Sequence, residues 1–337
     1  MKVTGWFAVV VFSLVTARAD ASVLVVGSGQ PFTQITTAVA AAQDGDTILV
    51  KSGWYAPFTI DGKGLTLVGD QGAIVFIGIF GLLPQQSTVK NLTVGQTVVL
   101  RGIDGPLALF GNAGSVRLEG CSIVGQAGDC SPLGCIPATP AVDVRNCAPV
   151  AITRSSLEGG AGGSYTVPGF DLCTNGAPGL AVENATVALY DTNLAGGTSI
   201  GGCSGGVPFD AAGGTVIDGL APQHDFVATS PLRKQQLGSL DFAGAPGDLA
   251  LLLITAGTDF LAAPEYQGAL LVGPILGVAI IGPLPSPTGV LSLPLFIGDL
   301  PPAGTDALDL HLQAAYAVGG AFVLAEPSIV TVLDASF

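Results

Sequence analysis

Three segments of the chain repeat one pattern: VRLEGCSI (Val116–Ile123), VAITRSSL (Val150–Leu157) and VALYDTNL (Val187–Leu194). Each begins with two aliphatic residues separated by one other residue, continues with small or polar residues, and ends on an aliphatic residue. A strand this short cannot bury its apolar face alone. Successive coils can stack so that equivalent strands pair in parallel and their aliphatic side chains share one interior. The repeat therefore predicts a parallel β-solenoid.

A second alternating strand precedes each repeat and ends near an asparagine, namely Asn112, Asn146 or Asn184. Asparagine tolerates the left-handed backbone conformation that a tight corner needs, and stacked asparagines can hydrogen-bond along a ladder. The inserts Gln126–Pro140 and Gly160–Pro178 lengthen the coils between the copies. We expect these inserts to project from the solenoid.

The N-terminal part supplies a helix and further coils. Phe32–Ala42 places Ile35, Val39 and Ala42 on one helical face, and the strand Thr47–Val50 follows. A short amphipathic helix over the first coil would shield an exposed parallel edge, so we expect it to cap the N-terminal end. Further predicted coil strands are Leu65–Val68, Ile74–Ile77, Val89–Val94 and Val98–Ile103.

The stretch Pro31–Ala73 resembles the opening of secreted right-handed parallel β-helix proteins of the pectin-lyase-like superfamily. These proteins typically begin with a helix, a Gly-Asp-Thr-Ile-x-Val strand and an x-Gly-x-Tyr turn, which here are Gly45–Val50 and Gly53–Tyr55. The resemblance covers about residues 23–219 and implies a right-handed parallel β-helix. It implies no single activity, because the superfamily combines pectate lyases, pectin esterases, polygalacturonases and non-enzymatic surface proteins.

The pattern changes near Phe226, where longer apolar strands alternate with Pro/Gly turns. This all-β pattern favours a small antiparallel β-sandwich, and it resembles the C-terminal β-modules of exported bacterial proteins. We expect a parallel β-helix at residues 22–225 and a β-sandwich-like domain at residues 226–337. Alternatively, these strands extend the β-helix or cap its C-terminal end. The predicted strands are Asp248–Thr255, Ala269–Val272, Val278–Ile281, Val290–Ile297, Ala307–Tyr316, Ala321–Leu324 and Ser328–Leu333.

Residues 1–21 have the pattern of a secretory signal peptide. Lys2 precedes the apolar run Phe7–Ala17, and small residues follow as far as Ala21. The run is shorter than the about 20 residues that a membrane-spanning helix needs. Leu270–Leu284 is also apolar, but Gly-Pro pairs interrupt it. We expect a secreted or cell-surface protein whose mature chain has no membrane span.

The chain is strongly acidic. The 337 residues carry a formal net charge of −14, and removal of residues 1–21, which include Lys2, Arg18 and Asp20, leaves −15. This charge repels phosphate backbones and argues against nucleic-acid binding. It also repels anionic polysaccharides unless a cation such as calcium bridges the two. No motif requires a cofactor, and calcium remains a possible ligand.

Six cysteines lie within one stretch of the chain. An even number in an exported protein suggests disulfides, whereas neither CxxC spacing nor a neighbouring histidine supports a zinc site. Six cysteines permit 15 pairings. The preferred pairings are Cys130 with Cys135, Cys173 with Cys203, and Cys121 with Cys147.

Outward-facing charged residues form a candidate ligand site. If the repeats align, Phe110, Arg145 and Glu183 form one exposed column, and Asp143 lies on the same face. Side chains one rung apart in a sheet are about 4.8 Å apart, so they can bind a cation or sugar together. They can equally form solvated ion pairs of little energetic weight. Two further candidates, which would stack on neighbouring strands, are Arg154 and Asp191.

The segment Gly202–Gly206 (GCSGG) matches the nucleophile pattern G-x-S-x-G, and His224 follows it. The pattern requires a strand before the serine and a helix after it, whereas glycine and proline surround Ser204. We interpret the match as accidental.

The catalytic motifs of the pectin-lyase-like superfamily do not carry over, because the chain contains no Asp-Asp pair and no Arg-x-Lys. The leading hypothesis is an exported, non-catalytic β-helix protein with a structural, adhesive or carbohydrate-contacting role. Its expected partners are polysaccharides or cell-surface components. The alternative is a divergent, calcium-assisted polysaccharide lyase or glycoside hydrolase of the same superfamily.

Overall fold

The structure is a computed structural model that describes residues 21–78, 86–167, 170–199, 201–218, 224–255, 257, 261–262, 266–267, 269–270, 273, 275–298 and 305–337. Of the predicted signal peptide, only residue 21 belongs to these ranges.

The first part of the chain contains one helix and short strands. They are β1 Val23–Val26, α1 Ile35–Ala41, β2 Thr47–Val50, β3 Gly53–Tyr55, β4 Thr59–Asp61, β5 Thr66–Gly69, β6 Val75–Ile77, β7 Ser87–Lys90, β8 Thr97–Arg101, β9 Leu107–Phe110, β10 Ser115–Glu119, β11 Ser122–Val124, β12 Asp129–Ser131, β13 Gly134–Ile136, β14 Val142–Arg145, β15 Val150–Thr153, β16 Ser156–Glu158, β17 Ser164–Val167, β18 Phe170–Cys173, β19 Leu180–Glu183, β20 Thr186–Tyr190, β21 Asn193–Ala195, β22 Phe209–Asp210 and β23 Thr215–Asp218.

The second part contains longer strands. They are β24 Asp225–Ala228, β25 Leu232–Arg233, β26 Leu237–Ala243, β27 Leu249–Thr255, β28 Leu261–Ala262, β29 Tyr266–Gln267, β30 Ala269–Leu270, β31 Ile275–Pro283, β32 Val290–Phe296, β33 Ala307–Val318 and β34 Ala321–Leu333.

The largest sheet is an eight-stranded parallel sheet with the order β1-β2-β5-β8-β10-β15-β20-β23. The repeats occupy adjacent strands in register, since Val116 pairs with Val150 and Val150 pairs with Val187. All three valines are buried in one core. The predicted stacking of the repeats is therefore confirmed.

Two further sides complete the coils. A six-stranded parallel sheet has the order β22-β19-β14-β9-β7-β4, and a third side consists of the parallel sheets β3-β6 and β11-β16-β21. On the third side Ile123, Leu157 and Leu194 stack and pack into the same core. An all-β chain with long parallel sheets of this kind is consistent with a parallel β-helix.

Corners after the six-stranded parallel sheet use the left-handed backbone conformation. Asn146 (φ 52°) and Asn184 (φ 50°) adopt it, and the Asn184 amide donates to the Asn146 side chain over 3.3 Å. Asn112 differs from the prediction, because the preceding Gly111 takes the left-handed position. The Asn112 side chain is buried and accepts a hydrogen bond from the Leu92 N–H.

The two inserts form antiparallel hairpins, β12-β13 and β17-β18. One disulfide joins Cys130 to Cys135 across the first hairpin, and a second joins Cys173 to Cys203. These are the first two preferred pairings.

The third preferred pairing is wrong, because Cys121 and Cys147 are free and buried. The two residues occupy different corners, since Cys121 follows β10 and Cys147 follows β14. Each thiol contacts a backbone carbonyl near its own corner: Cys121 Sγ lies 3.4 Å from Leu100 O, and Cys147 Sγ lies 3.3 Å from Arg145 O.

Helix α1 packs against the core through Ile35, Ala38 and Val39. It begins later than the predicted start at Phe32 and ends before Ala42, whose backbone is extended. A capping role for this helix remains a prediction. Among the described residues, no helix has the length and apolar character needed to cross a membrane.

A second hydrophobic core lies after residue 224, with Phe226, Phe242 and Tyr316 at its centre. It involves a three-stranded antiparallel sheet, β24-β26-β32, and a six-stranded sheet in which β25-β34-β33-β27-β31 are consecutive. The strands predicted at Ala321–Leu324 and Ser328–Leu333 form one strand, β34. Its pairing with β33 shifts register beside the intervening proline.

The C-terminal strands cover the outer face of the eight-stranded sheet. Leu49 and Val68, which point away from the first core, are fully buried against Ala307 and Leu333. Strand β2 is consequently buried on both faces. Because this face is covered, ligand-contacting residues are expected on the other two sides.

Candidate functional site

The predicted charged column forms on the outer face of the six-stranded parallel sheet. Phe110, Arg145 and Glu183 are register partners on β9, β14 and β19. The same column continues to Lys90 on β7 and Asp61 on β4. The alignment inferred from the repeats is therefore correct, and the column is longer than predicted.

Arg145 organises the centre of this column. Its guanidinium forms two contacts of 2.9 Å with the Asp143 carboxylate, one from each of two nitrogens, and lies 3.8 Å from Glu183. It also lies 5.9 Å from the ring centroid of Phe110, within cation–π range. The hydrogen bond that Arg145 donates to the Asp143 carboxylate raises the pKa of Arg145 above its ordinary value. Arg145 is therefore poorly suited to act as a base.

Asp61 and Lys90 form a second ion pair in the column, with 3.3 Å between Nζ and the carboxylate. The Asn91 side chain donates to Asp61 over 2.8 Å, and this bond lowers the pKa of Asp61. Each carboxylate of the column thus has a cationic or amide neighbour. Within the described ranges, no group of three or more metal-type side chains is positioned to hold an ion.

Arg154 and Asp191 do not form the predicted exposed pair. They follow paired residues of β15 and β20, but the Arg154 side chain turns to Glu119, with which it forms an ion pair, and lies 3.5 Å from Glu326 on β34. Asp191 stays exposed. The prediction was wrong because the C-terminal strands cover this region and supply the alternative partner.

The third side carries an outward column that the sequence reasoning missed. Trp54 on β3 pairs with Phe76 on β6, and Phe76 pairs with Asp104. The Ser122 N–H then donates to Ile103 O, in the same way that the Asp104 N–H donates to Val75 O. This bond places Ser122 on the next rung above Asp104.

The upper half of the column is polar and exposed. Ser122 pairs with Ser156, and Ser156 pairs with Asn193. All three side chains are exposed, whereas Phe76 and Asp104 are half-buried. We call the six residues the third-side column: Trp54, Phe76, Asp104, Ser122, Ser156 and Asn193.

Two stacked aromatic rings form the lower end of the third-side column. The Trp54 and Phe76 ring centroids are 4.6 Å apart with an interplanar angle of 22°. Trp54 is nevertheless 63% exposed, and Ile74 beside it is 62% exposed. On the next rung, burial raises the pKa of Asp104. The arrangement joins an apolar platform to a row of hydrogen-bonding groups.

The signals for this column were present in the sequence. Ser122, Ser156 and Asn193 occupy the same position in the three repeats, directly before the last aliphatic residue. Trp54 lies within the x-Gly-x-Tyr turn. Asp104 could not have been placed, because its coil lacks the repeat pattern and only backbone hydrogen bonds reveal its register.

The match to G-x-S-x-G has no catalytic geometry. Cys203 forms a disulfide, and the Ser204 N–H donates to the Asn175 side chain. His224 Nε2 instead lies 2.7 Å from Asp248 Oδ2, and the two residues directly precede β24 and β27. The interpretation as an accidental match is thereby supported.

A comparison with protein-family models finds none that matches this chain, and a comparison with curated proteins finds no match. The two sides of the coils that the C-terminal strands leave uncovered are therefore the basis for a functional assignment.

Proposed function

We propose that this protein is an exported, non-catalytic, right-handed parallel β-helix protein that binds a glycan along its third-side column. The observation that carries the proposal is the exposed indole of Trp54, stacked on Phe76 at one end of a row of polar side chains. An aromatic ring supplies apolar contact area at small entropic cost, and it can pack against the C–H face of a sugar ring.

The polar part of the column suits the rest of a glycan chain. Asp104 can accept hydrogen bonds from sugar hydroxyls, and Ser122, Ser156 and Asn193 can donate and accept them. Consecutive rungs are about 4.8 Å apart, which is comparable to the length of one sugar ring. A glycan that runs parallel to the stack of coils would therefore meet one such group per sugar.

Charge narrows the class of glycan. The net charge of the chain is −14, and the column contains a carboxylate but no cationic side chain. An anionic polysaccharide would be repelled from this side. We therefore propose a neutral polysaccharide as the ligand.

We also propose an extracytoplasmic location and a two-domain organisation. The two disulfides are typical of an oxidising, extracytoplasmic compartment, where a secreted or cell-surface protein would meet such glycans. We also propose membership of the pectin-lyase-like superfamily for residues 22–225 and a β-sandwich for residues 226–337.

Affinity electrophoresis in gels that contain a neutral β-glucan or xylan tests this proposal. Trp54→Ala should weaken glycan binding about fivefold, because one aromatic platform contributes about 1 kcal/mol. The matched control is Phe209→Ala, which removes an aromatic side chain that is 48% exposed on β22, away from the third-side column. Equal retardation of the wild type and Trp54→Ala by every glycan that binds would contradict the proposal.

A second assay tests the catalytic alternative. Pectate, alginate and the neutral glycans are incubated with the protein, with and without calcium. The non-catalytic proposal predicts neither unsaturated products nor new reducing ends. Products that disappear in Asp143→Ala or Glu183→Ala would overturn it.

A further inference from the structure

The carboxylate of Asp46 lies at the start of the stacked coils. Asp46 directly precedes β2 and is only 6% exposed. Its Oδ1 accepts a hydrogen bond from the Ser22 N–H over 2.9 Å, and its Oδ2 accepts one from the Gln43 N–H over 2.7 Å. This one side chain therefore joins the residue before β1, the segment after α1 and the start of β2.

Both hydrogen-bond donors to the Asp46 carboxylate are neutral backbone amides. Among the described residues, Asp46 forms no ion pair. A buried carboxylate is usually paired with a cation, because the loss of its hydration is costly. The arrangement is therefore suited to a positive charge at the position of one of the two donors.

Removal of the predicted signal peptide can place a charge at the Ser22 nitrogen. Small residues lie at Ala17, Ala19 and Ala21, so the small-x-small rule allows cleavage after Ala19 or after Ala21. Cleavage after Ala21 converts the amide nitrogen of Ser22 into an α-ammonium group with three N–H donors. A carboxylate oxygen of Asp46 already lies 2.9 Å from this nitrogen.

Cleavage after Ala19 would not produce this contact. The new ammonium group would belong to Asp20, two residues before Ser22, and the Ser22 nitrogen would remain a neutral amide. The Asp20 side chain would also keep a second negative charge within two residues of the Asp46 contact, and like charges repel one another. The contact at Asp46 therefore favours the later of the two cleavage sites.

We propose that the signal peptidase cleaves the chain between Ala21 and Ser22 and that the new α-ammonium group of Ser22 forms an ion pair with Asp46. Hydrolysis of this peptide bond consumes one water molecule, and it leaves a carboxylate on Ala21 and the ammonium group on Ser22. The inference rests on the proposed export of the protein and does not depend on the proposed glycan binding.

The ion pair would fasten the first strand of the eight-stranded sheet. Strand β1 is the terminal strand in the order of this sheet, and terminal segments fray unless they are tied down. A hydrogen bond with two charged partners is roughly twice as strong as one between neutral groups. Processing would thus strengthen the attachment of β1 at the end where the mature chain begins.

The cleavage site is tested by expression of the full-length chain in a secreting host, followed by intact-mass measurement and N-terminal sequencing of the exported protein. The exported chain should begin at Ser22. A chain that begins at Asp20 would overturn this inference and leave the proposed export intact. A chain that still carries Met1 would contradict both the inference and the proposed export.

The ion pair is tested by a double-mutant cycle on chains released from a fusion protein, with urea unfolding as the measurement. Two chains begin at Ser22 and two begin at Ala21, and one chain of each pair carries Asp46→Asn. The chain that begins at Ala21 keeps the Ser22 N–H but moves the ammonium group one residue away. Because the structure already accommodates Ala21, the added residue changes the position of the charge rather than the packing.

With Asp46 intact, the added residue should raise the equilibrium constant for unfolding about fivefold, because the charged contact becomes a neutral one. In the Asp46→Asn chains the added residue should have less than about a twofold effect. The matched control is Asp44→Asn in the same turn, because the Asp44 carboxylate accepts from the Gly64 N–H and not from Ser22. An effect of the added residue that is equal with and without Asp46→Asn would overturn the ion pair.

Discussion

The guanidinium group of Arg154 lies 3.5 Å from the carboxyl group of Glu326. This contact joins a corner of the first unit, the stacked coils up to β23, to strand β34 of the second unit, the strands from β24 onwards. Arg154 also forms an ion pair with Glu119 and donates to Phe226 O over 3.1 Å. Glu119 lies in turn 3.3 Å from Arg101. The interface between the two units therefore contains a buried network of ionic groups rather than apolar contacts alone.

Arg154→Ala should destabilise the chain strongly. The substitution leaves the buried carboxylate of Glu119 with one cationic partner, Arg101, and removes the hydrogen bond from Arg154 to Phe226 O. Loss of one partner from a buried network typically costs about 3–5 kcal/mol. Arg154 has a φ of 46°, a strained conformation that alanine retains, so the comparison isolates the side chain. Urea unfolding measures the change in the free energy of unfolding.

The matched control for this prediction is Lys90→Ala. Lys90 pairs with Asp61, and their side chains are 40% and 51% exposed, compared with 14% for Arg154 and 4% for Glu119. We expect a loss of at most about 1 kcal/mol, because solvent screens exposed pairs. Equal losses in the two variants would show that the interface network does not stabilise the fold.

The carboxyl group of Glu326 should make stability depend on pH. Burial and a hydrogen bond with Asp225 raise its pKa from 4.5 to about 9, because they outweigh the attraction of Arg154. Asp225 Oδ1 and Glu326 Oε2 are buried without a hydrogen-bond donor, which a proton shared between the two carboxyl groups would supply. At neutral pH the folded chain therefore keeps Glu326 protonated.

The sign of this effect follows from the raised pKa. Protonated Glu326 stabilises the fold fully below pH 4.5, and this contribution is lost as the pH rises towards about 9. Glu326→Gln keeps the hydrogen-bond donor and cannot ionise. Relative to this variant, the wild type should lose several kcal/mol of unfolding free energy between about pH 5 and pH 9. Glu158→Gln, at an exposed position on β16, serves as control, and wild-type and Glu326→Gln curves that stay parallel would contradict the assignment.

The two disulfides should contribute unequally to stability. Cys173–Cys203 spans 30 residues of sequence and Cys130–Cys135 spans 5. Loop-closure entropy predicts stabilisation of about 4 kcal/mol for the longer loop and about 2 kcal/mol for the shorter. Thermal unfolding of the two double-serine variants measures the difference, and a larger loss from the shorter loop would contradict this account.

The two remaining cysteines should react only after unfolding. Cys121 and Cys147 are buried free thiols, and burial raises the pKa of Cys121 to about 11. A thiol reagent should label neither residue in the native protein and both residues in denaturant without reductant. The count is obtained by mass spectrometry. Unlabelled cysteines in the denatured chain would reinstate the third disulfide.

Much of the first unit could be predicted from the sequence, because its information is local. The alternation of apolar residues at Val116 and Leu118 predicts which face of the strand is buried. The equivalent residues in the next two copies predict the register between neighbouring strands. Asn146 and Asn184 identify corners through their own backbone preference. Gly159 is different, because it is required by a tertiary contact: a Cβ there would overlap Ala177 O of the neighbouring segment.

The candidate site was predicted only in part. The column through Arg145 followed from the repeat register, whereas the column through Trp54 did not, because its coils precede the clear repeats. Arg154 was assigned to an exposed surface because nothing local distinguishes a strand that faces water from one that faces a second unit.

The sequence by itself determined how each coil folds and stacks, because strand alternation, corner conformation and insert position depend on residues close together in the chain. Only the tertiary structure decided which outer face is covered and which carboxylates Arg154 meets. These outcomes depend on contacts between residues far apart in sequence. One pattern of exposed and buried positions is compatible with either solvent or another sheet as the neighbour.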